Sequence, residues 1–308
     1  MNDNHALSAT APATPQRDYL VFVRAGRQSL HPRLLADDPG RNWDCCINVW
    51  SDATADEAPG AEAEMHLPGG LNKFEGYSLL HDMLMARRPY RYVLMLDDDL
   101  SFSPGAVSRF FEHCEREQLA LAQPAIALGS HSNHVINLRN PACLVRRVNF
   151  VEVMAPCFSQ AMLERLLPTF GLTRCTWGMD YAWSSLLAGT DENIAIVDDV
   201  EMQHTKPMDV TGGPFYQRLL GMGIDPKQEL AWVHRTFTPW GPMRTLAQGH
   251  RYRWPLPGAV NAALVKALEA RKLAMHLQRG GTLAPQTPAP EVATAAPTTL
   301  AGAGSLAG

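Results

Sequence analysis

Two hydrophobic periodicities alternate along most of the chain. Continuous apolar runs predict buried β-strands, and these lie at residues 19–23 (YLVFV), 46–50 (CINVW), 92–96 (YVLML), 121–126, 148–154 and 194–197. Apolar residues recur at helical spacing at residues 74–86, 104–117, 159–167 and 180–187. Strands separated by helices predict an α/β fold, in which helices flank a Rossmann-like sheet on both faces. In the 104–117 helix, Ser103 is expected as N-cap and Pro104 at the first helical position.

Beyond His204 the pattern becomes helical, with candidates at residues 214–220, 225–233 and 259–277. The last helix carries an apolar stripe that suits packing on the domain or on a second subunit better than contact with a membrane surface. We expect one domain over residues 18–279, ending in a helical segment at about 214–279. The flanking residues 1–17 and 280–308 are rich in Ala, Thr and Pro and predict disorder.

Composition narrows the class of protein. The formal charge of −4 over 308 residues predicts no nucleic-acid partner. Apolar runs are too short for a transmembrane segment, and the start lacks the features of a secretory signal. Six scattered cysteines are too sparse for a disulfide scaffold and indicate buried free thiols in a reducing cytoplasm.

Three consecutive carboxylates follow the apolar run at 92–96: Asp97, Asp98 and Asp99. Two unit charges about 4 Å apart repel by about 4 kcal/mol at an effective dielectric of 20, so a cation is expected among them. Asp97 and Asp99 share one face of extended backbone, and their hard oxygens suit Mg²⁺ or Mn²⁺. The alternative is a solvated acidic turn.

The segment TWGMDYAW at residues 176–183 sets Asp180 among aromatic side chains. Partial burial raises a carboxyl pKa, which suits a general base. Gly178 would permit a close backbone approach to a ligand, and Trp177 and Trp183 offer flat faces for a sugar ring. The alternative is that both tryptophans belong to the core and Asp180 caps a helix.

Basic and imidazole groups complete the candidate site. His204 follows the last predicted strand as a third metal ligand, and Lys206 is placed to meet phosphate. Arg24 and Arg27, in the loop after the first strand, are expected near a nucleotide, although such loops are commonly solvated surface.

The ordered motifs DDDL, LALAQPAI, FVEVMAPCFS, TWGMDYAW, IAIVDD and MQH resemble the DUF707 family of GT-A-like glycosyltransferases. The resemblance covers residues 92–213, and extends more loosely to LVFVRAG and to KFEG at 73–76. It implies a GT-A-like fold and a nucleotide-diphosphate sugar donor, whose diphosphate meets a divalent cation held by Asp97, Asp99 and His204. It also implies Asp180 as the base toward an acceptor hydroxyl of a glycan or small molecule. Glu152, within FVEVMAPCFS, is grouped with the substrate-binding residues, and Thr176 replaces the first glycine of the family's GWG.

Two other functions fit parts of the pattern. Asp97, Asp99 and Ser101, with Asp198 and Asp199 later, imitate a haloacid-dehalogenase phosphatase, but no lysine lies between the two acidic motifs. A non-catalytic sugar-nucleotide-binding module is the third hypothesis, and it predicts that the metal ligands are dispensable.

Overall fold

A mixed β-sheet of ten strands organises the chain. The computed structural model describes residues 17–26, 28–49, 63–85, 89–207, 213–237 and 242–284. Its strands are β1 (Tyr19–Ala25), β2 (Trp43–Val49), β3 (Met65–Pro68), β4 (Tyr92–Asp97), β5 (Leu100–Phe102), β6 (Leu121–Ile126), β7 (His131–Ser132), β8 (Cys143–Arg147), β9 (Cys157–Ser159), β10 (Ile194–His204), β11 (Arg251–Tyr252) and β12 (Thr282–Leu283). Its helices are α1 (His31–Ala36), α2 (Lys73–Met85), α3 (Ala106–Arg116), α4 (Gln160–Leu166), α5 (Met179–Leu186), α6 (Pro214–Gly221), α7 (Pro226–Thr236) and α8 (Gly258–Gln278).

The strand order is β11-β8-β10-β6-β9-β4-β1-β2-β3, with β5 paired to β10 outside this path. Strands β3, β2, β1 and β4 are parallel to one another, and β10 is parallel to β6. Strand β9 lies antiparallel between β4 and β6. Short β7 and β12 pair separately. The predicted α/β class, with a mixed sheet flanked by helices, is confirmed.

The central strands are buried on both faces, which explains their continuous apolar runs. On one face, residues such as Val21 and Leu94 pack with α1 and α3 through Leu35 and Phe110. On the other face, alternate residues of the same strands pack with α2, α4 and α5. Because side chains alternate across a strand, covering both faces requires apolar residues at nearly every position.

The helix predicted at 104–117 begins later than expected. Gly105 is its N-cap, in the left-handed region at φ 66°, and Pro104 lies in the preceding turn. The amide of Ala106 donates to the carbonyl of Ser103, so this turn rather than the serine side chain leads into α3.

The prediction of a β-strand at residues 148–154 is wrong. Within this segment, only Val148 takes part in β-pairing, through an isolated bridge to Thr245. Further along, the amides of Glu152 and Val153 donate to the side chains of Gln123 and Asp180 instead of to a neighbouring strand. The apolar residues of this segment are buried, but in irregular backbone.

Two further boundaries differ from expectation. Strand β10 is 11 residues long instead of four, because it continues past a bulge between Val197 and Glu201 to reach His204. Strand β12 lies inside the C-terminal stretch predicted to be disordered, where Thr282 pairs with His131. The rest of that stretch, 285–308, lies outside the described residues, as do residues 1–16 and Trp50, the last residue of the second predicted strand.

Helix α8 packs against other elements of the same chain, which is one of the two arrangements predicted from its apolar stripe. Its buried residues include Val265, Lys272 and His276. Lys272 donates to the carbonyl of Ile136, and His276 accepts from the amide of Gly129. In the part of the chain that the structure describes, no helix is long and apolar enough to cross a bilayer. All six cysteines are buried free thiols, as predicted.

Candidate functional site

The aspartate triplet lies where strand β4 ends. Asp97 is the last residue of β4, and Asp98 and Asp99 form the turn into β5. Strand β5 pairs with the end of β10 in a register that sets Leu100 opposite His204. This pairing brings two motifs about a hundred residues apart in sequence to the same edge of the sheet.

Asp99 and His204 are in direct contact. The Nε2 atom of His204 is 3.3 Å from Oδ2 of Asp99. Burial lowers the pKa of His204, but the hydrogen bond to Asp99 and its charge outweigh burial, so the pKa is raised. For Asp99 the directions are reversed. Burial raises its pKa, but the contact with His204 outweighs burial, so the pKa is lowered. Ser130 fixes the histidine backbone, since its hydroxyl accepts from the amide of His204 at 2.8 Å.

Asp97 is bound by Lys73, a residue that was not among the site residues predicted from the sequence. The ammonium of Lys73, at the start of α2, is 2.7 Å from Oδ1 of Asp97 and 2.7 Å from the carbonyl oxygen of Met154. Lys73 is only 4% exposed, whereas 46% of the Asp97 side-chain surface is accessible. Burial is the largest effect on the pKa of Lys73 and lowers it. The only sequence signal for Lys73 was its place at the head of the KFEG segment.

Asp98 faces the loop after β1. Its Oδ2 atom accepts from the amide of Gly26 at 2.7 Å, and burial raises its pKa. Lys206 lies between the last two acids of the triplet, with its ammonium 3.7 Å from Asp98 and 4.0 Å from Asp99. Almost half of the Lys206 side chain is exposed. The lysine predicted to meet phosphate therefore does lie beside the triplet, with a free approach from solvent.

The donor set can be tested for its fit to a divalent ion. Among the described residues, no three His, Cys, Asp or Glu groups form a preassembled metal site. Two adjacent ligands of an ion with bonds near 2.1 Å stand about 3 Å apart, so the 3.3 Å between Asp99 and His204 matches two neighbouring coordination positions. Oδ1 of Asp99 and Nδ1 of His204 are buried without a hydrogen-bond partner. The spacing of Oδ2 of Asp99 and Nε2 of His204 therefore fits the ion, and Asp97 carries a lysine instead.

Asp180 lies at the second helical position of α5 and is 4% exposed. Its oxygens accept from the amides of Tyr181, at 3.0 Å, and Val153, at 3.5 Å. Burial, followed by the charge of Glu152, raises the pKa of Asp180 to about 7. A carboxyl group that titrates near neutral pH can accept a proton at physiological pH and is suited to general base catalysis.

Glu152 is buried beneath this group and held by amides. The side chains of Asn133 and Asn137 both donate to its carboxylate, the second at 2.5 Å. Its own amide donates to Gln123 at 2.6 Å. With 1% exposure and both oxygens engaged, Glu152 acts on Asp180 through its charge. A direct contact between Glu152 and a substrate stays a prediction.

The backbone before α5 is unusual. Thr176 has φ 71° and Gly178 has φ 91°, both in the left-handed region. A Cβ atom at Gly178 would lie 2.9–3.1 Å from the side chain of Val233, so the space beside this glycine is filled by α7. Helix packing thus explains why residue 178 has no side chain. A contact between Gly178 and a ligand stays a prediction.

The two tryptophans of this segment have different surroundings. Trp183 is 1% exposed, and its indole N–H donates to the hydroxyl of Thr169 at 2.8 Å. Its face packs in the core against Phe74 and Phe158, so it is not placed to meet a sugar. Trp177 is half-buried and donates to Tyr216 at 2.8 Å. The core alternative therefore describes Trp183, whereas Trp177 keeps a partly open surface.

Arg24 is engaged within the protein. Its guanidinium donates to Asn48 and to the carbonyl oxygens of Gly69 and Gly70, the last two at 2.7 and 2.6 Å. Burial lowers its pKa to about 10. These contacts tie the end of β1 to the loop before α2, and nucleotide binding by Arg24 stays a prediction. Arg27 lies outside the described residues.

Electrostatic coupling shows which groups converge. The charges of Asp97, Asp99 and Glu152 all raise the pKa of Lys73 and of His204 against the effect of burial. We call the set that these interactions join the acidic cluster, and its members are Asp97, Asp99, Glu152, Asp180, Lys73 and His204. The predicted acids, base and histidine are therefore linked by charge, with Glu152 acting on Asp180, Lys73 and His204 alike.

The second acidic doublet serves another purpose. Asp198 is fully buried and 2.8 Å from Nε of Arg146. Asp199 lies 3.0 Å from His113 and 2.9 Å from Arg253. Both carboxylates are therefore engaged in ion pairs away from the aspartate triplet.

Comparisons with known proteins give a distant likeness among solved structures. No family model and no curated protein matches the chain. It is similar to the "Crystal structure of GalNAc-T7 with UDP, GalNAc and Mn2+", at 9% sequence identity and a TM-score of 0.45. The alignment covers 73% of this chain and 52% of the other, so the chain spans about half the length of that neighbour.

Proposed function

We propose that this protein is a metal-dependent glycosyltransferase of the GT-A type, using a nucleotide-diphosphate sugar and an acceptor hydroxyl. The observation that carries the proposal is the acidic cluster, which joins a carboxylate–imidazole pair suited to a cation with a carboxyl group that titrates near neutral pH. Membership of the DUF707 family, a glycan or small molecule as the acceptor, and a cytoplasmic location are parts of the same proposal.

On the donor side, Asp99 and His204 would hold Mn²⁺ or Mg²⁺. Such an ion, when bound, acts as a Lewis acid that neutralises charge on a departing diphosphate. Lys206 is exposed beside Asp98 and Asp99, where its ammonium can bind a phosphate oxygen. The triplet's negative charge would then be balanced from two directions, by this lysine and by the ion.

On the acceptor side, Asp180 takes the proton of the attacking hydroxyl. The acceptor oxygen forms a bond to the anomeric carbon, the bond from that carbon to the diphosphate oxygen breaks, and the proton moves to the carboxylate. The negative charge of Glu152 raises the proton affinity of Asp180, which suits this transfer. Trp177 offers a partly open aromatic face in the same segment.

The test is release of nucleoside diphosphate from a panel of nucleotide sugars incubated with the purified protein and Mn²⁺. We expect release with one or a few donors, and loss of release in Asp180→Asn and in Asp99→Asn. Conservative Asp199→Asn, in the other acidic doublet, serves as the matched control and should keep activity. Release at the parent rate by Asp99→Asn would contradict the proposed metal ligands.

The phosphatase alternative loses support. It needs the second acidic doublet beside the first, but Asp198 and Asp199 are engaged by Arg146, His113 and Arg253. In the same assay a phosphatase would clear simple phosphomonoesters. A non-catalytic binding module would bind a donor without turning it over.

A further inference from the structure

Lys73 and Asp97 form an unusual ion pair within the aspartate triplet. The lysine is buried, and its ammonium is fixed by Asp97 and by the carbonyl of Met154, each at 2.7 Å. That carbonyl also accepts from the backbone amide of Asp97, at 3.2 Å. The lysine thus bridges the Asp97 side chain and the Met154 carbonyl that pairs with the Asp97 backbone, and it cannot move aside without losing both of its contacts.

The other cation near the triplet is different. Lys206 is half-exposed and lies 3.7–4.0 Å from its two acids, beyond hydrogen-bond distance. It can therefore move to a ligand, whereas Lys73 stays with Asp97. Oδ2 of Asp99 and Nε2 of His204 face each other at 3.3 Å, the spacing of two neighbouring metal ligands, so the place for a further cation is beside Asp99 and His204.

We propose that Lys73 is a built-in cation that occupies Asp97 and confines a divalent ion to the Asp99–His204 pair. This inference deepens the proposed function and rests on it. A divalent ion on Asp97 would lie beside a fixed ammonium and be repelled by it, because both positive charges would share one carboxylate. Lys73 is in this sense a positioning residue, because it decides which of the aspartates binds the ion.

Titration of Mn²⁺ alone, followed by the electron paramagnetic resonance of free Mn²⁺, tests this in four proteins. The parent is compared with Lys73→Met, with the double variant Lys73→Met/Asp97→Asn, and with Asp99→Asn. We expect Lys73→Met to bind Mn²⁺ at least tenfold more tightly, because Asp97 is released to act as a ligand. The double variant keeps the parent's net charge and should bind within threefold of the parent, whereas Asp99→Asn should bind at least tenfold more weakly.

If Lys73 only held the fold together, its loss in Lys73→Met would weaken Mn²⁺ binding instead of strengthening it. The double variant keeps the inference testable if Lys73→Met fails to fold, because it leaves no unpaired charge behind. If the double variant loses affinity as Asp99→Asn does, Asp97 is a ligand and the inference is wrong. Unchanged or weaker binding by a folded Lys73→Met also overturns it.

The outcomes separate this inference from the proposed function. Mn²⁺-dependent turnover by the parent together with a loss of affinity in the double variant leaves the transferase standing and removes the role of Lys73. Conversely, if the parent binds no Mn²⁺ but Lys73→Met does through Asp97, metal-dependent transfer fails, and the confinement of an ion to Asp99 and His204 fails with it. Absence of binding in all four proteins overturns both.

Discussion

Asp180 is protonated in the folded protein at pH values where a free aspartate is ionised. Its pKa of about 7 exceeds the ordinary 3.8, chiefly because of burial. Between these two values the folded state holds a proton that the unfolded state has released. The raised pKa of Asp180 therefore contributes to the free energy of unfolding. This contribution is complete below about pH 4 and is lost as the pH rises through about 7.

This linkage predicts a difference between the parent and Asp180→Asn. From pH 4 to pH 7 the parent's free energy of unfolding should fall by on the order of 4 kcal/mol relative to that of the variant, at about 1.4 kcal/mol for each pH unit. Urea denaturation of both proteins at several pH values measures it. Parallel pH dependences would show that Asp180 has an ordinary pKa.

The same pKa governs catalysis if Asp180 is the base. We expect kcat/KM for donor turnover to rise about tenfold per pH unit below pH 7 and to level off above it, because only the ionised carboxylate accepts a proton. A pH–rate profile at saturating Mn²⁺ checks this. A flat profile from pH 5 to 8 would argue against Asp180 as the base.

Thr176 and Gly178 form a matched pair for backbone strain, since both have positive φ. A β-branched residue in the left-handed region costs about 1–2 kcal/mol, which glycine avoids at the expense of a more flexible unfolded chain. We expect Thr176→Gly to leave stability unchanged or raise it by up to about 1 kcal/mol. Gly178→Ala should destabilise by about 1–3 kcal/mol, because the new methyl group meets Val233. Chemical denaturation compares the two, and a larger loss from Thr176→Gly would contradict the assignment.

At the scale of elements, a buried charge network attaches α8 to the sheet. Arg146 on β8 and Asp198 on β10 are both fully buried and 2.8 Å apart. Arg146 also lies 3.2 Å from Glu269 on α8, which pairs in turn with Lys272 at 2.8 Å. The helix is thus held through largely buried polar groups, as well as by its apolar stripe.

Removal of one partner from this network should be costly. We expect Asp198→Asn to lower the free energy of unfolding by about 3–5 kcal/mol, because Arg146 is left as a buried charge without its full complement. The matched control is Glu192→Gln, which breaks a 2.9 Å ion pair with Arg165 at the surface and should cost at most about 1 kcal/mol. If equilibrium denaturation shows equal losses of stability in Asp198→Asn and Glu192→Gln, the buried Arg146–Asp198 pair does not hold α8 to the sheet.

At the scale of the whole molecule, the candidate site is assembled from distant parts of the chain. Lys73 comes from α2, Asp99 from the turn after β4, Asp180 from α5 and His204 from the end of β10. Because these parts lie far apart in sequence, a ligand that binds them together binds the folded state and not the unfolded chain.

We therefore expect Mn²⁺ with a nucleoside diphosphate to raise the melting temperature. A ligand present at about one hundred times its Kd adds about 2.7 kcal/mol, which corresponds to several degrees for a domain of this size. Thermal denaturation of the parent, Asp99→Asn and Asp199→Asn measures it, and only Asp99→Asn should lose the shift. A shift of the same size in all three would place the ligand elsewhere.

Local pattern determined much of this protein. Continuous apolar runs identified β1, β4 and β6, since strands buried on both faces admit few polar residues. The helical pattern identified α4, α7 and α8. In the structure, Ser159 and Asp225 cap the first two, as short polar side chains do at helix starts. The motif order also named Asp99, Asp180 and His204 as candidates.

Other features depended on contacts between residues distant in sequence. Short β5 and β9 exist because neighbouring strands accept their hydrogen bonds, and the buried segment around Glu152 is irregular because side chains take up its amides. The partner of Asp97 is Lys73, 24 residues earlier, and the core position of Trp183 depends on phenylalanines from other elements. A sequence shows which side chains can bear charge or be buried. Only the folded chain decides which opposite charge, amide or ring each of them meets.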